Sequence, residues 1–258
     1  MSASSRSVAR YGWVPDLPDQ RDFLYSAPPL FLLRELPTKV DLRPSCPPVY
    51  DQGQLGSCTA NAIGGAIEFD QMKEQLANVF IPSRLFIYYN ERALEGTVSS
   101  DSGAMIRDGI KTVARHGACP ESMWPYNVAK FKMKPTRACY DEASRHTTVT
   151  YMRLVQVLQQ MKGCLASGFP FVFGFTVYES FESTAVARTG KVPMPGTREK
   201  VLGGHAVCAI GYRDSDRTFL CRNSWGTKWG MRGYFTIPYA YLTDQDLAAD
   251  FWTIRLVQ

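Results

Sequence analysis

The chain has 258 residues, 45% of them hydrophobic and 21% charged, enough apolar material for two modest domains or one large one. Its net charge of +5 comes from scattered Lys and Arg without a basic run, which sets nucleic-acid binding aside. No apolar stretch approaches the roughly 20 residues that cross a bilayer, which sets a membrane role aside. The N-terminus MSASSRSVARYGWVPDLPDQ lacks the apolar core of a secretory signal. Cytoplasm is the default location, with export by a leaderless route as the alternative.

Residues 1–38 are rich in proline and aromatics and follow neither a helical nor an alternating period. Pro15, Pro18, Pro28 and Pro29 predict an extended course, and the apolar content predicts docking rather than a solvated tail. Residues 39–140 read as mainly helical. Ser57 is placed to cap a helix over Cys58 to Leu76, in which Gly64-Gly65 points to close packing. Further helices are predicted over Ser83 to Leu94 and over Ala104 to His116, the latter stopped by Gly117. Residues 141–258 read as β-rich. The runs TTVTYMRLV, FPFVFGFTVY, HAVCAIGYRD, RTFLCRNSW and GYFTIPY are β-branched and aromatic, with one helix over Gln156 to Ser167. The fold class is α+β, a helical domain followed by a β domain with a cleft between them.

Seven cysteines and three histidines limit the possible chemistry. No CxxC pair suggests zinc or redox work, and no metal or other cofactor is expected. Cys164, Cys208 and Cys221 lie in apolar contexts and read as structural. Cys58 follows a glycine-rich turn at a predicted helix N-terminus, where positive potential favours a thiolate. His116 reads as a cap or solvated residue and His146 as linker. His205, in GGHAV at the start of a strand, can pair with a thiol, although a strand-start histidine is more often structural. Asn223 lies on the turn after the next strand, where it can orient such a histidine. Gln52 can supply an amide donor beside the Cys58 N–H.

Taken together, these residues form ordered motifs. Gln52 to Cys58 read QGQLGSC, Gly204 to Tyr212 read GHAVCAIGY, and Asn223 to Tyr234 read NSWGTKWGMRGY. The set resembles the papain-like cysteine peptidases, and the likeness runs from Leu36-Pro37 to about Tyr234. The resemblance implies a two-domain fold with the active site in the cleft. It implies Cys58 as nucleophile, His205 as its partner, Asn223 as orienter, and Gln52 with the Cys58 N–H as oxyanion hole. Trp225 would shield the His205–Asn223 bond, and Trp229 would line the leaving-group side. Ser102, Gly103 and Ala104 would offer the substrate a backbone edge. Met105, Ile106, Gly174 and Ala206 would wall an apolar pocket for the second residue before the cut, although Met105 and Ile106 can equally be core. The implied activity is endopeptidase cleavage of peptide or protein substrates by a monomer. The same site can also carry acyl transfer to an amine.

Five positions depart from the family pattern. Leu55 and Asp101 stand where the family has a disulfide pair, Thr59 replaces a Trp, and Leu42 replaces another. Ala104 stands in for a glycine. The N-terminal segment departs most, being far shorter than the family's helical propeptides. Tyr11 to Tyr25 is expected to pack across the enzyme as a strap, either restraining activity over the cleft or tying down the β domain.

Overall fold

A computed structural model describes residues 11–27, 35–147 and 149–256, so parts of the expected 1–38 segment lie outside the described residues. The first helix, α1 (Cys58–Lys73), is buried on every side from Cys58 to Gln71, as a helix running through the centre of a protein must be. It stops short of the expected Leu76, and Gln75 takes a left-handed φ of 52°. Ser57 does not cap it through its side chain as expected. That hydroxyl instead lies 2.5 Å from the Tyr126 hydroxyl and accepts from Asn61 Nδ2.

Helix α2 (Arg84–Leu94) starts as the sequence predicts, with the Ser83 hydroxyl accepting from the Phe86 N–H at 3.1 Å. Helix α3 (Ile106–His116) ends on Gly117 at φ 75°. It begins two residues later than expected because Ala104 is held extended in a bridge to Trp13. A short helix, α4 (Arg137–Ala143), lies in a stretch with no sequence assignment.

The remaining elements build one antiparallel sheet. Its strands are β1 (Lys39–Asp41), β2 (Val149–Arg153), β3 (Phe171–Tyr178), β4 (Val201–Arg213), β5 (Thr218–Arg222), β6 (Tyr234–Pro238) and β7 (Ala248–Leu256). They run in the order β2-β7-β3-β4-β5-β6, with β1 beside β4. The sheet does not close, so the barrel-like expectation is corrected to an open, seven-stranded sheet. Helices α5 (Leu158–Ala166), α6 (Thr184–Thr189) and α7 (Tyr239–Thr243) fall between strands.

Alternation along β4 divides the core. Ala206, Cys208 and Ile210 pack with the residues of α1 to α3, while Val207 and Ala209 belong to the cluster that contains Phe175, Phe181 and Trp225. His205 shares the second parity and sits among those aromatics.

Gly65 explains part of the Gly64-Gly65 signal. A Cβ there would lie 2.3 Å from Nη1 of Arg222 on β5. That guanidinium stacks 4.4 Å from the Tyr50 ring and donates through Nη2 to the Pro48 carbonyl, so it has little room to yield. Gly65→Ala is therefore expected to lower unfolding stability by about 1–3 kcal/mol through overpacking. A denaturant midpoint equal to the parent's would refute this.

Candidate active site

Cys58 is the first residue of α1, where the unpaired N–H groups of the first turn concentrate positive potential. Its sulfur faces the backbone N–H groups of Ala206 and Gly12, each of which favours the thiolate. The thiol is nonetheless fully buried, and desolvation outweighs those donors, pushing its pKa up to about 12. Cys164, Cys208 and Cys221 are buried as the sequence predicts, and all seven cysteines are unpaired.

Ala206 touches the Cys58 sulfur, and the residue before it, His205, carries the imidazole. Its Nε2 lies 2.8 Å from Asn223 Oδ1. The Ser224 N–H donates to the same oxygen at 2.8 Å, which fixes the orientation of the amide. An oxygen that only accepts requires the proton on Nε2, leaving Nδ1 as the basic nitrogen of the neutral ring. Trp225 lies over this pair, 5.1 Å from the His205 ring at 30°. Trp229 is buried against Trp225 and Phe181 within the same aromatic cluster.

Gln52 ties the turn before α1 to the loop after β5. Its N–H donates to the Ser224 carbonyl, its Oε1 accepts from the Ser224 hydroxyl at 2.6 Å, and its Nε2 donates to the Leu55 carbonyl at 2.9 Å. The four polar residues singled out in the sequence are thus brought together. His116 and His146 lie elsewhere, against Tyr140 and Phe80 respectively.

The departures acquire partners. Asp101 accepts from the Gly56 N–H through both oxygens, at 3.1 and 3.0 Å, and from the Tyr88 hydroxyl. This carboxylate clamp joins the segments where the resemblance would place a disulfide, while Leu55 packs in the core. Thr59 donates at 2.6 Å to Glu91, a fully buried carboxyl whose pKa burial raises well above its ordinary value.

The N-terminal segment enters this site. The Ala104 N–H donates to the Gly12 carbonyl at 2.8 Å, the Val14 N–H donates to Ala104, and the Trp13 N–H donates to Gly204. The segment is thereby bonded to both α3's leading edge and β4. Tyr11 sets its ring 6.0 Å from that of His205 and donates its hydroxyl to Glu182. Further along, Asp16 accepts from the Arg107 N–H and from the Trp252 indole, and Asp22 pairs with Arg107 and Arg153. Tyr25 and Ala27 are buried in the core cluster that contains Leu154 and Met161.

Among the residues expected along a substrate edge, Ala104, Gly174 and Ala206 lie beside this segment or the Cys58 sulfur. Gly103 takes φ 73° and donates to the Tyr88 hydroxyl, and the Ser102 hydroxyl is turned onto Thr97. Met105 donates its N–H to Glu95, while Ile106 is fully buried in the core beside Ile110 and Val113. Sequence reasoning missed Arg107, Asp16 and Asp250, which are single charged residues in ordinary contexts with no motif around them.

Residues 36–245 match the Papain family cysteine protease profile. The chain is 45% identical to the uncharacterized peptidase C1-like protein L477 of Acanthamoeba polyphaga mimivirus, over 96% of this chain and 87% of the viral one. A cathepsin L-like proteinase of Fasciola hepatica is 27% identical over 78% of this chain, which spans 60% of that relative. The crystal structure of xylellain, a cysteine protease from Xylella fastidiosa, superimposes with a TM-score of 0.91 at 45% identity, over 98% of both chains. Digestive procathepsin L 3 of Tenebrio molitor shares the fold, with a TM-score of 0.71 at 18% identity over 92% of this chain and 75% of its own. Motif order, the helix-to-sheet junction at Cys58 and this match across most of the sequence agree: the chain belongs to the papain family of cysteine proteases.

Proposed function

We propose that the chain is an endopeptidase in which Cys58 is the nucleophile and His205 its acid–base partner, restrained by residues 11–27. The observation that supports it best is the convergence at one sulfur of a helix N-terminus, the strand carrying the Asn223-bound imidazole, and the Gly12 N–H. In the open site, His205 Nδ1 takes the thiol proton and the thiolate attacks the peptide carbonyl. The oxyanion is met by the Cys58 N–H and the Gln52 amide. The imidazolium then protonates the leaving amine, and water releases the acyl group by the same route in reverse. An epoxysuccinyl thiol inhibitor is expected to label Cys58 once the strap opens. Labelling of a different cysteine would sink the assignment.

Strap docking carries its own pH dependence. Asp16 and Asp250 lie side by side in the docked state, and burial followed by their mutual repulsion raises Asp16 from 3.8 to about 7. Arg107 and the Trp252 indole oppose that rise without cancelling it, while Arg153 acts in the same sense on Asp250. A carboxyl raised on docking takes up a proton as it docks, so docking is strongest below the ordinary value and weakens as pH climbs toward 7. Cys58 accessibility, corrected for thiol ionisation, should therefore increase with pH by up to about tenfold per unit across that window. A flat profile, or one of opposite slope, would show that another group governs release.

A further inference from the structure

Thr59 follows the nucleophile directly in the first turn of α1, and its backbone N–H faces the Cys58 sulfur, where it favours the thiolate. Ala206 and Gly12 supply further N–H groups to the same sulfur. Gly12 belongs to the strap, so an opened site keeps the donors of Ala206 and Thr59. What holds Thr59 is a carboxyl group on another helix. Its Oγ1 donates at 2.6 Å to Oε1 of Glu91, which lies on α2. Thr59 stands where the resemblance has a Trp, so this bond belongs to the chain's own departure from the family pattern.

Everything around Glu91 disfavours a charge. The residue is fully buried, and among the described residues its Oε2 has no hydrogen-bond partner. Helix α3 closes over that oxygen at Gly109, where a Cβ would fall 2.6 Å from it and 2.5 Å from Ile63. Arg92, the next residue in the chain, spends its guanidinium on the carbonyls of Tyr88, Val98, Ser100 and Phe131. Glu95, just beyond α2, and Asp108 on α3 are further acids that oppose ionisation of Glu91. The Tyr88 hydroxyl is donated to Asp101, and an ionised Cys58 would be one more anion. A carboxyl in such company keeps its proton. Ionised, it would set a negative charge against the thiolate.

We propose that Glu91 is a positioning residue for the reaction: as an uncharged acid it anchors the Thr59 hydroxyl, and through that bond it fixes the N–H that steadies the Cys58 thiolate. The proposal rests on the peptidase reading above and adds a residue to it. A neutral acid suits this role. It accepts the hydroxyl's hydrogen bond as a carboxylate would, yet adds no negative charge beside a nucleophile that must itself become negative. An apolar residue would add no charge either, but it would leave the buried Thr59 hydroxyl without an acceptor.

The test uses full-length Gly12→Val, whose displaced strap lets iodoacetamide titrate the thiol. There Glu91→Leu should raise the pH midpoint of Cys58 alkylation by about one unit, the effect of loosening one hydrogen bond to a charged acceptor. It should also lower kcat about tenfold while KM stays within about twofold. Glu91→Gln keeps a neutral acceptor and should recover most of both losses. Thr59→Val should raise the midpoint likewise, and it serves if the leucine variant fails to fold. Added to Thr59→Val, Glu91→Leu should move the midpoint little further, because its route to the sulfur is already cut. A midpoint that Glu91→Leu and Thr59→Val leave in place, or that their effects raise additively, would overturn the proposal. A midpoint lowered by Glu91→Gln would overturn it too, since it would reveal a carboxylate. Infrared difference spectra of the parent chain against Glu91→Gln at neutral pH need no opened site. They should show the absorption of a protonated carboxyl, and its absence would refute the uncharged acid. Midpoint shifts without hydrolysis of any peptide would uphold the anchoring of the thiol and sink the peptidase reading.

Discussion

Cys58→Ala is expected to reduce peptide hydrolysis by at least about 10⁴-fold while leaving the fold intact. The expected loss is that large because a nucleophile acts as a unit with its base, so its removal discards the covalent route entirely. The fold survives because the change removes one sulfur from a fully buried site, at a cost of about 1 kcal/mol or less. The N–H groups of Ala206 and Gly12 that point at the sulfur belong to strand β4 and to the N-terminal segment, both held by other bonds, the Trp13–Gly204 and β3–β4 pairings among them. Hydrolysis within tenfold of the parent would move the chemistry to another residue. A collapsed melting transition would make Cys58 a structural residue instead.

Gly12→Val is expected to do the opposite and open the site. A Cβ on Gly12 would lie 1.7 Å from the Gly56 carbonyl oxygen, and that carbonyl is backbone in the turn leading into α1. The strap must therefore lift, at a cost of about 1–3 kcal/mol of docking energy, rather than push the turn aside. Alkylation of Cys58 should rise roughly tenfold or more. The pH midpoint of that alkylation should fall well below the buried value of about 12, since solvent replaces the apolar cover while the helix terminus remains. Unchanged accessibility would mean that Gly12 does not seal the thiol.

The sequence was most informative where a motif has to be contiguous. Cys58 with its glycine turn, GGHAV and NSWGTKW each sit on one element, so the types and order of the residues sufficed to bring Cys58, His205, Asn223 and Gln52 forward. The helices α2 and α3 were legible because Ser83 and Gly117 mark an end of each. Helix α1 begins at Cys58 as the sequence predicts, but Ser57 spends its hydroxyl on Tyr126 instead of capping it, and the helix ends at Lys73 because Gln75 breaks the run early. Helices α4, α6 and α7 are too short to set up a period. Asp250 was illegible for a different reason. Its place beside the Trp13 indole depends on a bulge between β3 and β7, strands whose pairing no local pattern in the sequence reveals. The bonds between Asp101 and Gly56 and between Arg107 and Asp22 likewise join residues far apart in sequence.

Tyr25 and Ala27, buried beside Leu154 and Gly163, have a consequence for how restraint could end. They anchor the strap downstream of the cleft, and only a short stretch of chain joins Ala27 to β1 at Lys39. If the strap restrains the enzyme as proposed, a strap so tethered would compete with substrate at the high local concentration of an intramolecular ligand. Severing that stretch would leave every bond of the strap in place and yet turn it into a separate peptide. Its hold would then depend on how dilute the protein is.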